Sequence, residues 1–180
     1  MSSPVGSPVH TIKWAIRRVT ECHINVISCS FLYCTRSVGR EGQQDYINAV
    51  IRVQTSLSAR NLLKKLKQIE KAAGRNLVPM RIEGQWGPRP LDLDLVDYKG
   101  IVSKDFAACS REMISVKNRN AMRRGPLVLP HPHAHLRPFV IRPLMDIEPL
   151  WHHPVSGRSI RSLWALLRNS SDGQILHRLD

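Results

Sequence analysis

The spacing of hydrophobic positions predicts an amphipathic helix near each end of the chain. The first begins with Ser7-Pro8, a helix N-cap followed by proline at the first helical position, and ends near Thr20. The last covers residues 159–168. Because apolar residues three or four positions apart lie on one side of a helix, each is expected to bury one face. Those faces comprise Val9, Ile12, Ile16 and Val19 in the first helix and Ile160, Leu163, Trp164 and Leu167 in the last.

A further helix between them has the clearest pattern in the chain. Ser58 can cap its start, and Leu57 can pack on Leu62 as a hydrophobic staple. Gly74 is expected to end it, because glycine readily adopts the left-handed conformation found after a helix. Its predicted buried stripe consists of Leu62, Leu63, Leu66, Ile69 and Ala73.

Segments rich in β-branched and aromatic residues, several of them alternating with polar residues, predict strands. They cover residues 24–33, 46–54 and 91–98, with shorter strands at 127–130 and 139–144. The order of helices and strands favours an α+β sandwich, in which a mostly antiparallel sheet carries helices on its faces.

Length and composition indicate one ordinary globular domain over residues 1–180. No segment has the roughly 20 consecutive apolar residues of a membrane span, and the N-terminus lacks the pattern of a secretory signal, so we expect a cytoplasmic protein. The net charge of +13 favours a polyanionic partner. Charge alone does not distinguish nucleic acid, a membrane surface and a nucleotide. Part of that charge lies in residues 101–126, which have little periodicity and are interpreted as a mobile basic insertion.

The segment from Trp86 to Leu95 carries the most informative chemistry. In a strand, Asp92 and Asp94 point to one face and are roughly 7 Å apart, because two residues of strand separate them. Such a pair can hold Mg²⁺ against a polyphosphate, although an acidic, solvent-exposed strand face is an alternative. Arg89 lies between two prolines, which suits a fixed contact with a phosphate. A P-loop kinase is excluded, because the chain has no Walker-type glycine loop.

These residues belong to a set of motifs that resembles the 6-hydroxymethyl-7,8-dihydropterin pyrophosphokinase family. The string Trp-Gly-Pro-Arg-x-Leu-Asp-Leu-Asp is highly specific, and the resemblance extends over about residues 8–165. It implies a ferredoxin-like α/β sandwich and transfer of pyrophosphate from ATP to the hydroxyl group of a hydroxymethyl pterin in folate synthesis. The matching segments are residues 44–49, 86–94, 129–133, 137–140 and 143–149.

The resemblance also implies the groups that handle ATP. Asp92 and Asp94 would bind two Mg²⁺ ions and, with Arg89, form the catalytic set. Direct attack of the pterin hydroxyl on the β-phosphorus, with AMP leaving, is the expected mechanism. For Glu70, an ordinary surface charge is the alternative. The residues implied to contact ATP are Glu70, Arg75, Arg81, Trp86, Arg89, His131 and Arg137.

A second implied set binds the pterin. Tyr46 and Phe139 would stack on the flat ring, and the amide of Asn48 would pair with its donor and acceptor edge. Ordinary sheet packing is the alternative for these side chains. Thr35 and Val38 would line the pocket, although the turn between them departs from the family pattern, which usually has proline at position 36 or 37. We expect a monomer that binds these small molecules, and neither nucleic acid nor membrane.

Two other interpretations remain open. Family members usually begin with a strand and a Gly-Ser-Asn turn, which are expected to be missing here, so the chain could be a truncated or inactive relative. A basic RNA-binding α+β module would explain the charge but gives no reason for Asp92 and Asp94. Loss of Mg²⁺-dependent nucleotide binding in an Asp92 variant, with RNA binding unchanged, would favour that module.

Overall fold

A computed structural model describes residues 7–36, 45–75, 90–106, 127–171 and 173–179. The helices are α1 (Pro8–Glu21), α2 (Ala59–Glu70), α3 (Pro138–Ile147) and α4 (Ile160–Leu167). The strands are β1 (Asn25–Cys29), β2 (Leu32–Thr35), β3 (Tyr46–Asn48), β4 (Ile51–Gln54) and β5 (Ile175–Leu179). A π-helical turn, Lys71–Arg75, continues α2, and a 3₁₀ turn, Ala134–Leu136, precedes α3. Helices and antiparallel sheets together confirm the α+β class.

Helix α1 confirms the predicted element, but its buried face is shifted and shares only Val19 with the predicted one. Its buried residues are Thr11, Ala15 and Val19, whereas Ile12 and Ile16 are only half-buried. The small side chains of Thr11 and Ala15 let the helix approach the neighbouring α2 and β1 closely, so the larger apolar residues lie beside the contact.

Helix α2 forms as its sequence predicts. The Ser58 hydroxyl accepts a hydrogen bond from the Asn61 N–H at 3.4 Å, which is the predicted N-cap. Leu62 and Ile69 are buried, and Ala73 extends their stripe into the π-helical turn. Gly74 has a φ of 100°, the left-handed conformation expected of a residue that ends a helix. Helix α4 is likewise confirmed, with the Ser159 hydroxyl accepting from the Ser162 N–H at 3.2 Å.

The two long strands predicted at residues 24–33 and 46–54 are each broken into two. The breaks lie side by side, because the Ser30 N–H donates to the Val50 carbonyl and the Val50 N–H donates to the Ser30 hydroxyl, both at 2.9 Å. The serine side chain thus replaces one backbone acceptor of the ladder at this point. The prediction of two continuous strands was therefore wrong.

The strands form two antiparallel sheets. One pairs β1 with β4, and the other places β2 between β3 and β5. In the second sheet Thr35 lies opposite Tyr46 of β3 and Ile175 of β5. Strand β5 was not predicted, since its sequence, Ile-Leu-His-Arg-Leu, is short and does not alternate.

Residues 91–98, predicted as a strand, have no ladder partner among the described residues. Their backbone bonds go elsewhere: the Leu93 N–H donates to the Glu70 carboxylate at 2.5 Å, and the Val96 carbonyl accepts from the His131 N–H at 2.8 Å. Residues 127–130 are not a strand either, because the Leu129 carbonyl accepts from the Ser103 N–H and its own N–H donates to the Ser103 hydroxyl, both at 2.8 Å.

The strand predicted at residues 139–144 was wrong, since these residues lie in helix α3. Pro138 occupies the first turn, where proline is favoured because the missing N–H would have no helical partner. Pro138, Ile141 and Leu144 are buried at a spacing of three, which is a helical period rather than a strand period.

Two hydrophobic clusters hold these elements together. The first joins α1, α2 and Leu91, and the second joins Ile141 and Leu144 of α3 to Ile160 and Leu163 of α4. Phe106, in the described start of the basic segment, is also buried. No helix among the described residues is long and apolar enough to cross a membrane. Residues 1–6 and 107–126 lie outside this description, so the missing first strand and the mobile insertion stay predictions.

Candidate active site

Asp92 and Asp94 lie on an extended segment whose apolar side chains pack against the first hydrophobic cluster. Leu91 is buried, and Leu93 and Leu95 pack against the same hydrophobic cluster. The side chains of Asp92 and Asp94 point the other way, and each is 43% exposed. The predicted alternation is confirmed, although no strand in the described part of the chain pairs with this segment. Any extended backbone directs successive side chains to opposite sides.

Helix α2 fixes this segment through two charged side chains. Glu70 accepts from the Leu93 N–H, and the Lys67 ammonium donates to the Leu93 carbonyl at 2.8 Å. Since one residue receives both bonds, its backbone polar groups are satisfied without a sheet partner. The residue between the two aspartates is thereby held at a fixed position.

The Lys67 ammonium lies within reach of all three carboxylates of this cluster. Its Nζ is 2.8 Å from Glu70 Oε1, 3.7 Å from Asp92 Oδ1 and 3.5 Å from Asp94 Oδ1. Lys67 was not predicted from the sequence. Its only local signal is the Lys-x-x-Glu spacing on α2, which places both side chains on one helix face.

Glu70 is fully buried, so its interpretation as an ordinary surface charge was wrong. Burial raises the pKa of the Glu70 carboxyl, and the adjacent Asp92 side chain raises it further. The Lys67 ammonium and the Leu93 N–H oppose that rise, because both favour the charged carboxylate. The structure thus places Glu70 beneath the two aspartates, as a support for them.

His131 joins the cluster from the segment before α3. Its Nε2 lies 3.8 Å from Asp94 Oδ2, and its side chain is only 16% exposed. Burial lowers the pKa of His131 below its usual range, while the Asp94 carboxylate raises it and the Arg137 guanidinium lowers it. The structure therefore brings together four residues named from the sequence, Glu70, Asp92, Asp94 and His131.

The donor set suits Mg²⁺, which prefers hard oxygen ligands. Asp92 and Asp94 are half-exposed, so their outer sides are open to a ligand. The oxygens already surround one cation, the Lys67 ammonium, which shows that the position favours positive charge. No cluster of three or more His, Cys, Asp or Glu side chains suited to a metal occurs within the described ranges.

A second group of predicted residues lies on β2, β3 and the start of α3. The Asn48 amide Nδ2 donates to the buried Thr35 hydroxyl at 2.8 Å, which fixes the orientation of the amide. Tyr46, opposite Thr35 in the sheet, is 41% exposed. Helix α3 packs against β2 and β3, and at its start the Arg137 guanidinium lies 5.6 Å from the centre of the half-buried Phe139 ring.

The other site residues predicted from the sequence are not among the described ones. Val38, Arg81, Trp86 and Arg89 lie outside the part of the chain that the structure describes, as does the side chain of Arg75. The loop expected to close over ATP therefore stays a prediction.

Comparisons with known proteins agree on one family. The family model described as 7,8-dihydro-6-hydroxymethylpterin-pyrophosphokinase matches residues 1–149. A Synechocystis protein named 2-amino-4-hydroxy-6-hydroxymethyldihydropteridine pyrophosphokinase is 37% identical over 140 residues, which is 78% of this chain and 59% of that protein. An Aquifex aeolicus protein of the same name is 30% identical over 161 residues, 89% of this chain and 85% of its own length.

A longer relative is the folate synthesis bifunctional protein of Arabidopsis thaliana. It is 34% identical over 173 residues, which is 96% of this chain but 31% of that protein. The chain thus spans less than two thirds of the length of some relatives and most of the length of others.

Proposed function

Since the chain belongs to the 7,8-dihydro-6-hydroxymethylpterin-pyrophosphokinase family, we propose that it transfers pyrophosphate from ATP to 6-hydroxymethyl-7,8-dihydropterin. The pterin hydroxyl oxygen forms a bond to the β-phosphorus, and the bond from that phosphorus to the α,β-bridging oxygen breaks. The products are the pterin diphosphate, AMP and the hydroxyl proton. The observation that carries the proposal is the carboxylate cluster formed by Asp92 and Asp94 above the buried Glu70.

In this proposal Asp92 and Asp94 hold two Mg²⁺ ions. When bound, the metal neutralises phosphate charge and aligns the polyphosphate for displacement. Glu70 and Lys67 fix Leu93, so the flanking carboxylates are already in place before a ligand arrives. Such preorganisation lowers the reorganisation that the reaction requires.

Cationic and imidazole groups nearby are assigned to the triphosphate. His131 lies beside Asp94, and Arg137 follows on the same segment before α3. The largely neutral imidazole of His131 can donate an N–H to a phosphate oxygen without adding a full positive charge next to a metal. Arg75, Arg81, Trp86 and Arg89 are assigned to the same ligand on the resemblance alone.

The pterin is assigned to the surface around Tyr46, Asn48 and Phe139. The half-exposed Tyr46 ring can stack on a flat heterocycle, and Phe139 belongs to a helix that packs on the same strands. Because Thr35 orients the Asn48 amide, that group presents a defined edge to a ligand. Val38 is assigned to the pocket wall on the resemblance alone.

The test is AMP release by the purified chain with Mg-ATP and 6-hydroxymethyl-7,8-dihydropterin. We expect release that needs both the pterin and Mg²⁺ and that falls at least about 100-fold in Asp94→Asn, because the variant loses a metal ligand. The matched control is Asp105→Asn, which removes an exposed carboxylate away from the cluster.

Equal loss in both variants would contradict the assigned role of Asp94. No AMP release from the folded wild-type chain would overturn the proposed activity and leave an inactive member of the family.

A further inference from the structure

We propose that Lys67 is a built-in counter-cation that occupies the carboxylate cluster and competes with divalent metal for it. It would make metal binding weak in the free protein and stronger when a nucleotide is present. The inference rests on the proposed function, because it takes Asp92 and Asp94 as the metal ligands.

The geometry around the ammonium supports this role. Lys67 Nζ makes two short contacts, at 2.8 Å to Glu70 Oε1 and at 2.8 Å to the Leu93 carbonyl. It also lies 3.5 Å from Asp94 Oδ1 and 3.7 Å from Asp92 Oδ1. An ammonium has three donors, so two satisfy the supporting groups and the third faces both aspartates. Four oxygen atoms of the protein thus surround the ammonium of one of its own side chains.

The same contacts indicate how the ammonium can be displaced. The Lys67 side chain is 40% exposed, and its ammonium is carried by a flexible four-carbon stem. The Glu70 side chain beneath it is 1% exposed. The two short bonds therefore go to fixed groups, while the longer contacts go to the aspartates that would bind metal. Rotation of the stem would move the charge away from the aspartates at the cost of its bonds to Glu70 and the Leu93 carbonyl, while the bond from the Leu93 N–H to Glu70 would still hold the segment.

Charge explains why Lys67 would couple metal binding to nucleotide binding. A divalent ion at Asp92 and Asp94 would lie close to the ammonium, and the two positive charges would repel each other. The phosphates of a nucleotide carry negative charge that offsets this repulsion. Lys67 would consequently disfavour metal alone far more than metal bound together with nucleotide.

The experiment is a titration of Mn²⁺, followed by its paramagnetic resonance signal, in the full chain without nucleotide. Lys67→Gln removes the charge but keeps a side-chain N–H. We expect it to bind Mn²⁺ about tenfold more tightly than wild type. The variant loses both the repulsion between the ammonium and the metal and the competition of the ammonium for Asp92 and Asp94. Lys67→Arg keeps the charge and should remain close to wild type.

Lys65→Gln is the matched control, because it removes the charge of an exposed lysine on the same helix. Lys67→Met provides a second charge-removing variant if the glutamine disturbs folding, which thermal unfolding detects. Mn²⁺ affinity in the Gln and Met variants that is unchanged or weaker than wild type would overturn the inference. A gain of the same size in Lys65→Gln would overturn it too, since a general surface charge effect would then suffice.

Asp94→Asn separates this inference from the proposed function. If that variant binds Mn²⁺ as wild type does, the assigned metal site is wrong and the role of Lys67 is lost with it. If Asp94→Asn loses metal while Lys67→Gln shows no gain, only the role of Lys67 is wrong.

Discussion

Two groups of buried ionisable side chains differ in what surrounds them. In the carboxylate cluster, the buried Glu70 is bonded to Lys67 and to a backbone N–H, and the two aspartates above it are open to solvent. The Lys67 ammonium and the Leu93 N–H therefore oppose the rise that burial causes in the pKa of Glu70.

The contrasting region is a closed histidine pocket formed by Phe106, His135, Trp151 and His153. His153 is 2% exposed, and the rings of the other three lie 5.9, 4.6 and 5.8 Å from its own. Its Nδ1 accepts from the Val155 and Ser156 N–H groups, at 3.3 and 3.2 Å. Burial, with a smaller effect of His135, lowers the pKa of His153 to about 4.

Two similarly perturbed groups lie in unlike surroundings. Both Glu70 and His153 have pKa values shifted mainly by burial. Only Glu70 lies beneath groups that are open to a ligand, whereas His153 is enclosed by aromatic rings and supports the turn after Trp151. A shifted pKa is therefore a sign of function only where the surrounding geometry admits a substrate.

The largest effect on stability is expected when the support of the open cluster is removed. Glu70→Ala leaves the Leu93 N–H and the Lys67 ammonium without their buried acceptor, and should lower the free energy of unfolding by about 3 kcal/mol. Glu70→Gln keeps an acceptor at the same place and should cost about 1 kcal/mol or less. Urea unfolding at pH 7 measures both. Equal losses in the two variants would show that the hydrogen-bond acceptor at position 70 does not account for the loss of stability.

Acid should affect the closed pocket more than the carboxylate cluster. An unfolded histidine has a pKa of about 6.5, so as the pH falls the unfolded chain takes up this proton before the folded one. The contribution of His153 is complete above pH 6.5 and is lost as the pH falls towards 4. Between pH 7 and pH 5 the loss should be about 2 kcal/mol.

His153→Asn tests the origin of that loss, since its amide oxygen can still accept from the Val155 and Ser156 N–H groups. The variant should lose less stability than wild type between pH 7 and pH 5 in urea unfolding. His135 and Asp97 act on the His153 charge in opposite directions and remain in both proteins, so the difference between the two slopes isolates His153. Parallel slopes would rule out His153 as the acid-sensitive group.

The smallest effects concern the helices that support each region. Ser58 caps α2, which carries Glu70 and Lys67, and Ser159 caps α4, whose first N–H donates to the Trp151 carbonyl at 2.9 Å. Replacing either serine with alanine should cost about 1 kcal/mol, because an N-terminal N–H loses its acceptor. Thermal unfolding of the two variants measures the costs. A negligible cost in either would mean that water replaces the hydroxyl there.

Parts of this structure follow directly from local sequence. Ser58 and Ser159 mark the helix starts because capping is a contact between residues three apart. The opposed directions of Leu93 and Asp94 were also predictable, because alternation follows from extended backbone whether or not a sheet forms. The family motifs added the functional interpretation that local patterns alone left open.

The parts that were mistaken depend on contacts between distant residues. Lys67 has no distinctive local pattern, and its role appears only when α2 packs beneath residues 91–95. In α3, β-branched residues favoured a strand, whereas burial of Ile141 and Leu144 against α4 favours a helix. The split of the long strands likewise depends on Ser30 meeting Val50 across the sheet.

Strand β5 has a consequence for how the molecule folds. It pairs with β2, so contacts such as Thr35 with Ile175 join positions roughly 140 residues apart. Closing so long a segment costs conformational entropy before any contact compensates for it, and pairings of this kind form slowly. The strand that carries Thr35 should therefore gain its second neighbour late, after the helices and the β1–β4 sheet have formed. In a refolding experiment, the surface around Tyr46 and Asn48 would be completed after the carboxylate cluster.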